Sequence, residues 1–325
     1  MKGEDIQSAA EHLLRGELVA IPTETVYGLA ANALDEKAVA RIYEVKQRPL
    51  HNPLIIHVAD VEQIAMYTTE LPYTAQKLLH KFAPGPLTLL LPRNSAIPDI
   101  VTAGSPLVAV RIPDHPMTLE LLRQTGIPLA APSANPFGYI SPTTAGHVEK
   151  MLGDKIPYIL DGGPCEAGIE STIIGFPDGV PTIYREGAIP KDLIEELIGL
   201  VAVFEGKKIH APGMSAVHYS PNTPLILCDD VEQAIRDHDH FRIGVITYGK
   251  YATGVTADNQ WILCKGDDRE AAAHNLYAAL HEMDERNYEL IIAKVFPETG
   301  LGSALNDRLR RAAMKGISSD NSIAD

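Results

Sequence analysis

Apolar residues recur along the first 200 positions in two rhythms, and the alternation of the rhythms predicts the elements. Residues 4–16 carry Ile6, Ala9, Ala10, Leu13 and Leu14, the stripe of an amphipathic helix. A short apolar run at 18–22 follows and reads as a strand. Residues 36–47 return to helical spacing through Val39, Ile42, Tyr43 and Lys46. Strands are expected at 53–58, 87–91, 107–111 and 128–131, with helices at 116–125 and 143–152. Shorter strands are expected at 158–160, 172–174 and 181–184. Pro190 suits the first turn of another helix. Strands apolar at nearly every position belong to a sheet covered on both faces, so this region predicts a mixed α/β domain with a largely buried sheet.

The pattern breaks over residues 201–224, where Gly206, Lys207, Lys208, Pro212, Gly213, Pro221 and Pro224 accumulate. That composition predicts a linker. Beyond it, apolar runs at 225–228, 242–247, 261–264 and 290–293 alternate with helical stretches near 230–237, 268–285 and 302–313. This predicts a smaller Rossmann-like α/β domain, although no GxGxxG follows its first strand. The polar tail at 316–325 is expected to fray. The expected division is a first domain at 1–205, a linker or lid at 206–222 and a second domain at 223–325.

Composition narrows the function more than the fold. The 325 residues are 45% hydrophobic and 22% charged, ordinary globular values, with a formal net charge of −14. That balance lacks the basic footprint of a general nucleic-acid binder. Cys165, Cys228 and Cys264 are widely spaced and form no CxxC, which suits a reduced chain with small buried thiols. The acidic N-terminus lacks an apolar leader core and no apolar run reaches membrane length, so a cytoplasmic protein is expected.

Candidate chemistry gathers at strand ends, where open α/β sheets bind ligands. Residues 22–28, Pro-Thr-Glu-Thr-Val-Tyr-Gly, form a turn rich in short hydroxyls with one carboxylate. Lys46, Arg48, His51 and Asn52 precede the strand at 53–58, and Pro49 and Pro53 stiffen their loop. Lys46 and Arg48 are placed to clamp a phosphate or carboxylate. Arg111 ends an apolar strand and needs an anionic partner, either a carboxylate of the protein or a ligand. Ser133, Asn135 and Ser141 lie on a proline-rich loop that also carries Gly138. Glu170, Ser171 and Thr172 offer groups for a small zwitterion, with the carboxylate taking an ammonium. Arg185 ends the next strand. No GxSxG, HExxH or paired Cys/His metal site appears, and the twelve histidines lack metal-ligand spacing. These residues describe a polyanion cleft without an evident nucleophile, suited to catalysis by positioning and electrostatics.

Six ordered motifs together resemble the YrdC-like family. They lie at 22–28, at 46–54 (Lys-x-Arg-Pro-x-x-Asn-Pro-Leu) and at 84–88 (Pro-Gly-Pro-x-Thr). The others are at 110–116 (Val-Arg-x-Pro-x-His-Pro), 132–136 (Pro-Ser-Ala-Asn-Pro) and 168–172 (Gly-x-Glu-Ser-Thr). Residues 212–221 and 306–313 resemble the linker and final helix of the family's long, two-domain form. The resemblance implies a YrdC-like twisted open mixed sheet with helices, plus the Rossmann-like C-terminal domain. It implies a nucleotidyltransferase that converts L-threonine, bicarbonate and ATP, with Mg²⁺, to threonylcarbamoyl-AMP and pyrophosphate. The product would pass to a tRNA threonylcarbamoyl transferase complex that modifies the adenosine next to the anticodon. By the same resemblance, Thr25, His57, Arg111, Ser171 and the backbone at Ala131 contact threonine. Arg48, Asn52, Ser133, Asn135, Ser141, Arg185 and, from the linker, Tyr219 contact ATP. Lys46 and Arg48 take the catalytic role of neutralising phosphoryl charge. Two positions depart from the family: Ser215-Ala216-Val217 replaces a Lys-Tyr-Arg stretch, and Leu107 stands where relatives carry a small hydroxylic residue. RNA binding and carbamoyl transfer are the alternative readings. The net charge speaks against tight nucleic-acid binding, and carbamoyltransferases carry further modules not seen in this sequence.

Overall fold

A computed structural model describes residues 1–206 and 218–320. The chain divides into two compact units. One comprises Met1–Phe137 with the described part of Ser141–Ser215, and the other comprises Gly138–Ile140 with the described part of Ala216–Asp325.

The first unit is built on one mixed sheet. Its strands are β1 (Lys2–Gly3), β2 (Val19–Ile21), β3 (Gly28–Asn32), β4 (Ile55–His57), β5 (Leu87–Pro92) and β6 (Leu107–Arg111). They continue as β7 (Leu129–Ala130), β8 (Tyr158–Leu160), β9 (Thr172–Gly175), β10 (Thr182–Arg185) and β11 (Ala202–Val203). Across the sheet the order is β1-β8-β2-β3-β7-β4-β6-β5-β9-β10-β11. The β2–β3, β3–β7, β4–β7, β5–β6 and β9–β10 pairs are antiparallel. The β4–β6 and β5–β9 pairs are parallel.

Alternation along the strands sorts residues onto two faces. Ala20, Leu29, Ala31, Ile56, Leu89, Leu91, Val108 and Val110 join the main core. That core also takes Val39 and Ile42 from the helix Glu36–Lys46, Leu78 from Tyr73–Phe82 and Ile194 from Lys191–Ile198. The opposite parity splits into two clusters. Val19, Ile21 and Ala30 pack with Ala9 and Leu13 of the helix Ile6–Leu14 and with Leu121 and Leu122 of Pro116–Thr125. Ile55, Leu90, Ala109 and Ile173 instead cluster with one another, and this group contains strand residues only. The polar residues at the ends of β4, β5 and β6 share the parity of that third cluster.

The second unit is a four-stranded parallel sheet. Its strands are β12 (Leu225–Cys228), β13 (Ile243–Gly249), β14 (Gln260–Lys265) and β15 (Leu290–Lys294), in the order β12-β15-β13-β14. Helices Val231–Asp237 and Arg269–Glu285 begin at Asp230 and Asp268, whose carboxylates accept from the backbone NH groups of Gln233 and Ala271. An all-parallel sheet with intervening helices matches the Rossmann-like expectation.

The residues expected to fray past 316 do not all leave the helix, because the last helix runs Leu301–Asp320. Most of the expected lid, residues 207–217 with Ser215-Ala216-Val217 among them, lies outside the described residues. The three cysteines are free: Cys165 and Cys264 are buried and Cys228 is half-buried. Burial pushes the Cys165 thiol up to about 12, so it is an inert core group.

Candidate functional site

The turn at 22–27 joins β2 to β3, and its shape comes from Thr23. The Thr23 hydroxyl accepts from the backbone NH groups of Thr25 and Val26 at 3.1 and 3.2 Å. It donates to the Val26 carbonyl at 2.7 Å and lies 2.8 Å from the Thr25 hydroxyl. This local bonding fixes Thr25, fully buried, and Glu24 on the tip.

Register brings the other strand-end groups into one row. His57 of β4 pairs with Arg111 of β6, Arg111 pairs with Thr88 of β5, Thr88 pairs with Ile173 of β9, and Ile173 pairs with Arg185 of β10. Cross-strand partners face the same way, so His57, Arg111, Thr88 and Arg185 share a face. Ser171, just before β9, completes the row. Its hydroxyl lies 2.7 Å from that of Thr88 and accepts from the Arg185 guanidinium at 3.0 Å, and its carbonyl accepts from the same guanidinium at 2.8 and 3.1 Å. Ala131 closes the row beyond β7, its backbone NH donating to the Ile55 carbonyl at 3.0 Å.

Arg111 has found the carboxylate its burial demands. Its guanidinium lies 2.7 Å from Glu24 Oε1, and both side chains are over nine-tenths buried. The approach is close but not aligned as a hydrogen bond, so the Arg111 terminal nitrogen and Glu24 Oε1 each keep an unused bonding direction. Among the described residues His57 Nδ1 has no aligned hydrogen-bond partner, although backbone groups of Leu129 and Ile55 lie close enough to favour the protonated ring. Burial, with Arg111 beside it, lowers the His57 imidazole to about 3. It is therefore neutral at working pH and available as a hydrogen-bonding group rather than a cation.

This shift predicts a pH dependence of stability. The folded pKa lies below the ordinary histidine value of 6.5, so the unfolded chain takes up the proton first. The contribution is fully present above about pH 6.5 and is lost as pH falls towards 3. The slope approaches about 1.4 kcal/mol per pH unit within that window. Urea unfolding at pH 7 and pH 5 checks this: the loss should be about 2 kcal/mol smaller in His57→Gln than in the parent chain. Equal losses would show that His57 does not titrate on unfolding in this range.

A second cluster surrounds the end of the helix Glu36–Lys46. Gln47 adopts a left-handed backbone there (φ 54°), ending the helix and turning the chain towards Arg48. Lys46 is buried, and its ammonium donates to the carbonyls of Ser133, at 2.6 Å, and Asn135. No carboxylate partners it among the described residues. Burial, and then Arg48, lower its pKa well below the ordinary lysine value. Arg48 donates to the Asn52 carbonyl at 3.0 Å, to Asn52 Oδ1 at 2.6 Å and to the Pro53 carbonyl at 2.7 Å, and its guanidinium stands 6.0 Å from the Phe137 ring centre. The loop bearing Ser133, Asn135 and Ser141 is laced to the first turn: Leu29 NH donates to the Pro132 carbonyl, Ala134 NH to that of Tyr27, and Tyr27 NH to that of Pro142. The Ser141 hydroxyl donates to Glu170 at 2.7 Å, which links this cluster to the row at Ser171.

Of the residues expected from sequence, twelve fall in these two linked groups: Thr25, Lys46, Arg48, Asn52, His57, Arg111, Ala131, Ser133, Asn135, Ser141, Ser171 and Arg185. Tyr219 belongs to the second unit. It is buried in a left-handed backbone (φ 64°), with the Tyr277 ring 5.6 Å and the Arg308 guanidinium 5.4 Å from its own ring. Glu24 and Thr88 were not singled out by the sequence. An arginine ending an apolar strand signalled a partner, and Glu24 was the carboxylate within the same set of motifs.

Gly187 packs directly against the backbone that carries Ser171. A Cβ there would lie 2.4 Å from the Glu170 carbonyl oxygen and 2.4 Å from the Ser171 carbonyl carbon, both backbone atoms that cannot swing aside. Gly187→Ala should therefore destabilise the first unit by about 1–3 kcal/mol and displace Ser171. Thermal unfolding and threonine calorimetry check this. An unchanged melting point with full ligand affinity would refute the tight approach.

Among the described residues no group of three or more His, Cys, Asp or Glu is placed to hold a metal ion. The fold and site thus define an α/β protein with buried cations at a helix end and a neighbouring row of paired charges and hydroxyls at strand ends. Comparison with known proteins gives the family. A family model described as "Telomere recombination" matches residues 11–187, and one described as "Threonylcarbamoyl-AMP synthase, C-terminal domain" matches residues 189–314. A threonylcarbamoyl-AMP synthase of Bacillus subtilis is 43% identical, covering 95% of this chain and 92% of its own. One of Pyrococcus abyssi is 42% identical, covering 95% and 94%. The structure of P. abyssi Sua5 complexed with L-threonine superimposes with a TM-score of 0.89 at 41% identity, covering 96% of this chain and 94% of that one. The chain belongs to the threonylcarbamoyl-AMP synthase family, in its two-domain form.

Proposed function

We propose that this chain condenses L-threonine, bicarbonate and MgATP into threonylcarbamoyl-AMP and pyrophosphate. The observation that carries the nucleotide half is Lys46, a buried ammonium held by two carbonyls with no carboxylate to neutralise it among the described residues. Such a group costs free energy unless an anion is delivered to it. Arg48 lies two residues away, and Arg185 donates to Ser171, whose neighbour Glu170 accepts from Ser141 on the loop that carries Ser133 and Asn135.

In this reading threonine occupies the row of His57, Arg111 and Ser171, with Thr25 and the Ala131 backbone. ATP occupies the side of Arg48, Asn52, Ser133, Asn135, Ser141 and Arg185, and Tyr219 acts from the second unit. The threonine amine and bicarbonate give the carbamate with loss of water. A carbamate oxygen attacks the α-phosphorus, the bond to the β-phosphate bridge breaks, and pyrophosphate leaves. Lys46, Arg48 and Arg185 offset the charge that builds on the phosphoryl oxygens. Mg²⁺ arrives with the nucleotide as part of the substrate, held by phosphates and water, which suits a site with no carboxylate cage among the described residues. Carbamates hydrolyse readily in water, so a buried site also protects the intermediate. The product would be consumed by a tRNA threonylcarbamoyl transferase complex in the cytoplasm, for the adenosine next to the anticodon.

The test is to incubate the full chain with MgATP, bicarbonate and L-threonine and to identify the adenylate by mass. Pyrophosphate release should require threonine. Release at the same rate without threonine, or no adenylate of the expected mass, would refute the reading.

A further inference from the structure

We propose that Glu24 is the acceptor for the substrate's ammonium group, parting from Arg111 as the substrate's carboxylate takes its place. The inference rests on the threonine reading above and adds to it a residue which that reading does not use.

The pair is built as a placeholder. Glu24 Oε2 is fixed by the backbone NH of Asp114 at 3.1 Å, and the Glu24 carbonyl accepts from the backbone NH of Ala167 at 2.7 Å. The carboxylate is thereby held with Oε1 against Arg111 at 2.7 Å. On its other edge Arg111 donates through Nε to the Gly85 carbonyl at 3.3 Å. Between these anchored edges, the two atoms that meet gain Coulombic attraction without an aligned hydrogen bond. A pair meant only to lock strands together would use the bidentate geometry open to arginine and carboxylate. This one leaves a bonding direction unused on each side.

Burial explains why a placeholder is needed. A buried guanidinium left alone is strongly destabilising, and so is a buried carboxylate. An amino acid brings one charge of each sign. When it enters, its carboxylate takes Arg111 and its ammonium takes Glu24, so four charges re-pair two by two and none is left single. Both atoms are sealed from solvent, so they are reached only as the pair parts. Of the other carboxylates nearby, Glu170 is engaged by the Ser141 hydroxyl at 2.7 Å, and Asp114 and Glu166 also face this end of the site.

The experiment compares L-threonine with 3-hydroxybutyrate, which lacks only the amino group, by calorimetric competition on the full chain and on Glu24→Gln. The readout is the ratio of the two Kd values. In the parent protein threonine should bind more tightly. In Glu24→Gln the advantage should shrink about tenfold or more, because a charged hydrogen bond is lost for threonine alone. The affinity for 3-hydroxybutyrate should stay level or rise, because the competing carboxylate is gone. If both ligands weaken in parallel, or neither changes, Glu24 only braces Arg111 and the proposal is overturned. Should Glu24→Gln fail to fold, Glu24→Asp decides instead. Its shorter carboxylate must also reduce the ratio, and an unchanged ratio overturns the proposal. A parent protein that does not bind threonine would sink the threonine reading itself, which separates the two failures.

Discussion

Lys46→Met should reduce threonylcarbamoyl-AMP formation by about two to three orders of magnitude while the protein keeps its fold. Methionine matches the length of the lysine stem and carries no charge. What disappears is the charge. If that charge serves the phosphoryl group, the loss appears in the chemical step and in MgATP affinity, not in threonine affinity. Stability moves under opposing influences. Two carbonyls, of Ser133 and Asn135, lose a donor. Against this, a charge that burial disfavours strongly enough to lower its pKa is removed. The melting point should therefore move by only a few degrees. Single-turnover adenylate formation and thermal unfolding on the same sample decide. A large drop in melting point, with activity falling only as the folded fraction falls, would make Lys46 a cross-link between helix and loop. Arg48→Ala is a weaker probe, because Arg48 also organises the backbone of Asn52 and Pro53.

The same contrast between local and non-local information sets what the sequence discloses. Strands such as β5 and β6 are legible because continuous Leu and Val runs at 87–91 and 107–111 match a strand buried on both faces. The strand β3 is not, because Gly28-Leu-Ala-Ala-Asn32 lacks β-branched and aromatic residues and follows a turn that masks its start. The two-residue strands β1 and β11 give no periodic signal at all. Helices Val61–Tyr67, Tyr73–Phe82 and Asp99–Thr102 are short and mixed in polarity, and they owe their existence to docking on the main core. The site behaves in the same way. Motif residues lie at strand ends that sequence can locate, yet their grouping follows from register: His57 meets Arg111, and Thr88 meets Ser171, only through the order β4-β6-β5-β9. Arg111 announced a missing anion, and the fold supplied Glu24 from 87 positions away.

Tyr219→Ala should destabilise the second unit by about 3–5 kcal/mol, the usual cost of removing a large buried ring. Its ring stacks on Tyr277, meets His218 edge-on at 4.0 Å and lies under the fully buried Arg308. Packing that tight answers how the aromatic residue is held, and it sharpens what a lid formed by residues 206–222 requires. A lid over the nucleotide retains the adenylate and excludes water from the carbamate. Tyr219 and its neighbour Ser220, whose hydroxyl donates to the Arg311 carbonyl at 3.2 Å, are anchored within the second unit. Loosening that anchor should then show as wasteful turnover. At a temperature where Tyr219→Ala is still folded, pyrophosphate should appear faster than intact threonylcarbamoyl-AMP, whereas the parent chain should release the two in step. Cutting the chain after about residue 205 should exaggerate the effect. That fragment retains the main core of the first unit and the threonine row, and should bind threonine while accumulating little adenylate. A folded Tyr219→Ala protein with no excess pyrophosphate, together with a fragment that makes adenylate at the full rate, would reduce the segment to a tether and Tyr219 to a core residue of the second unit.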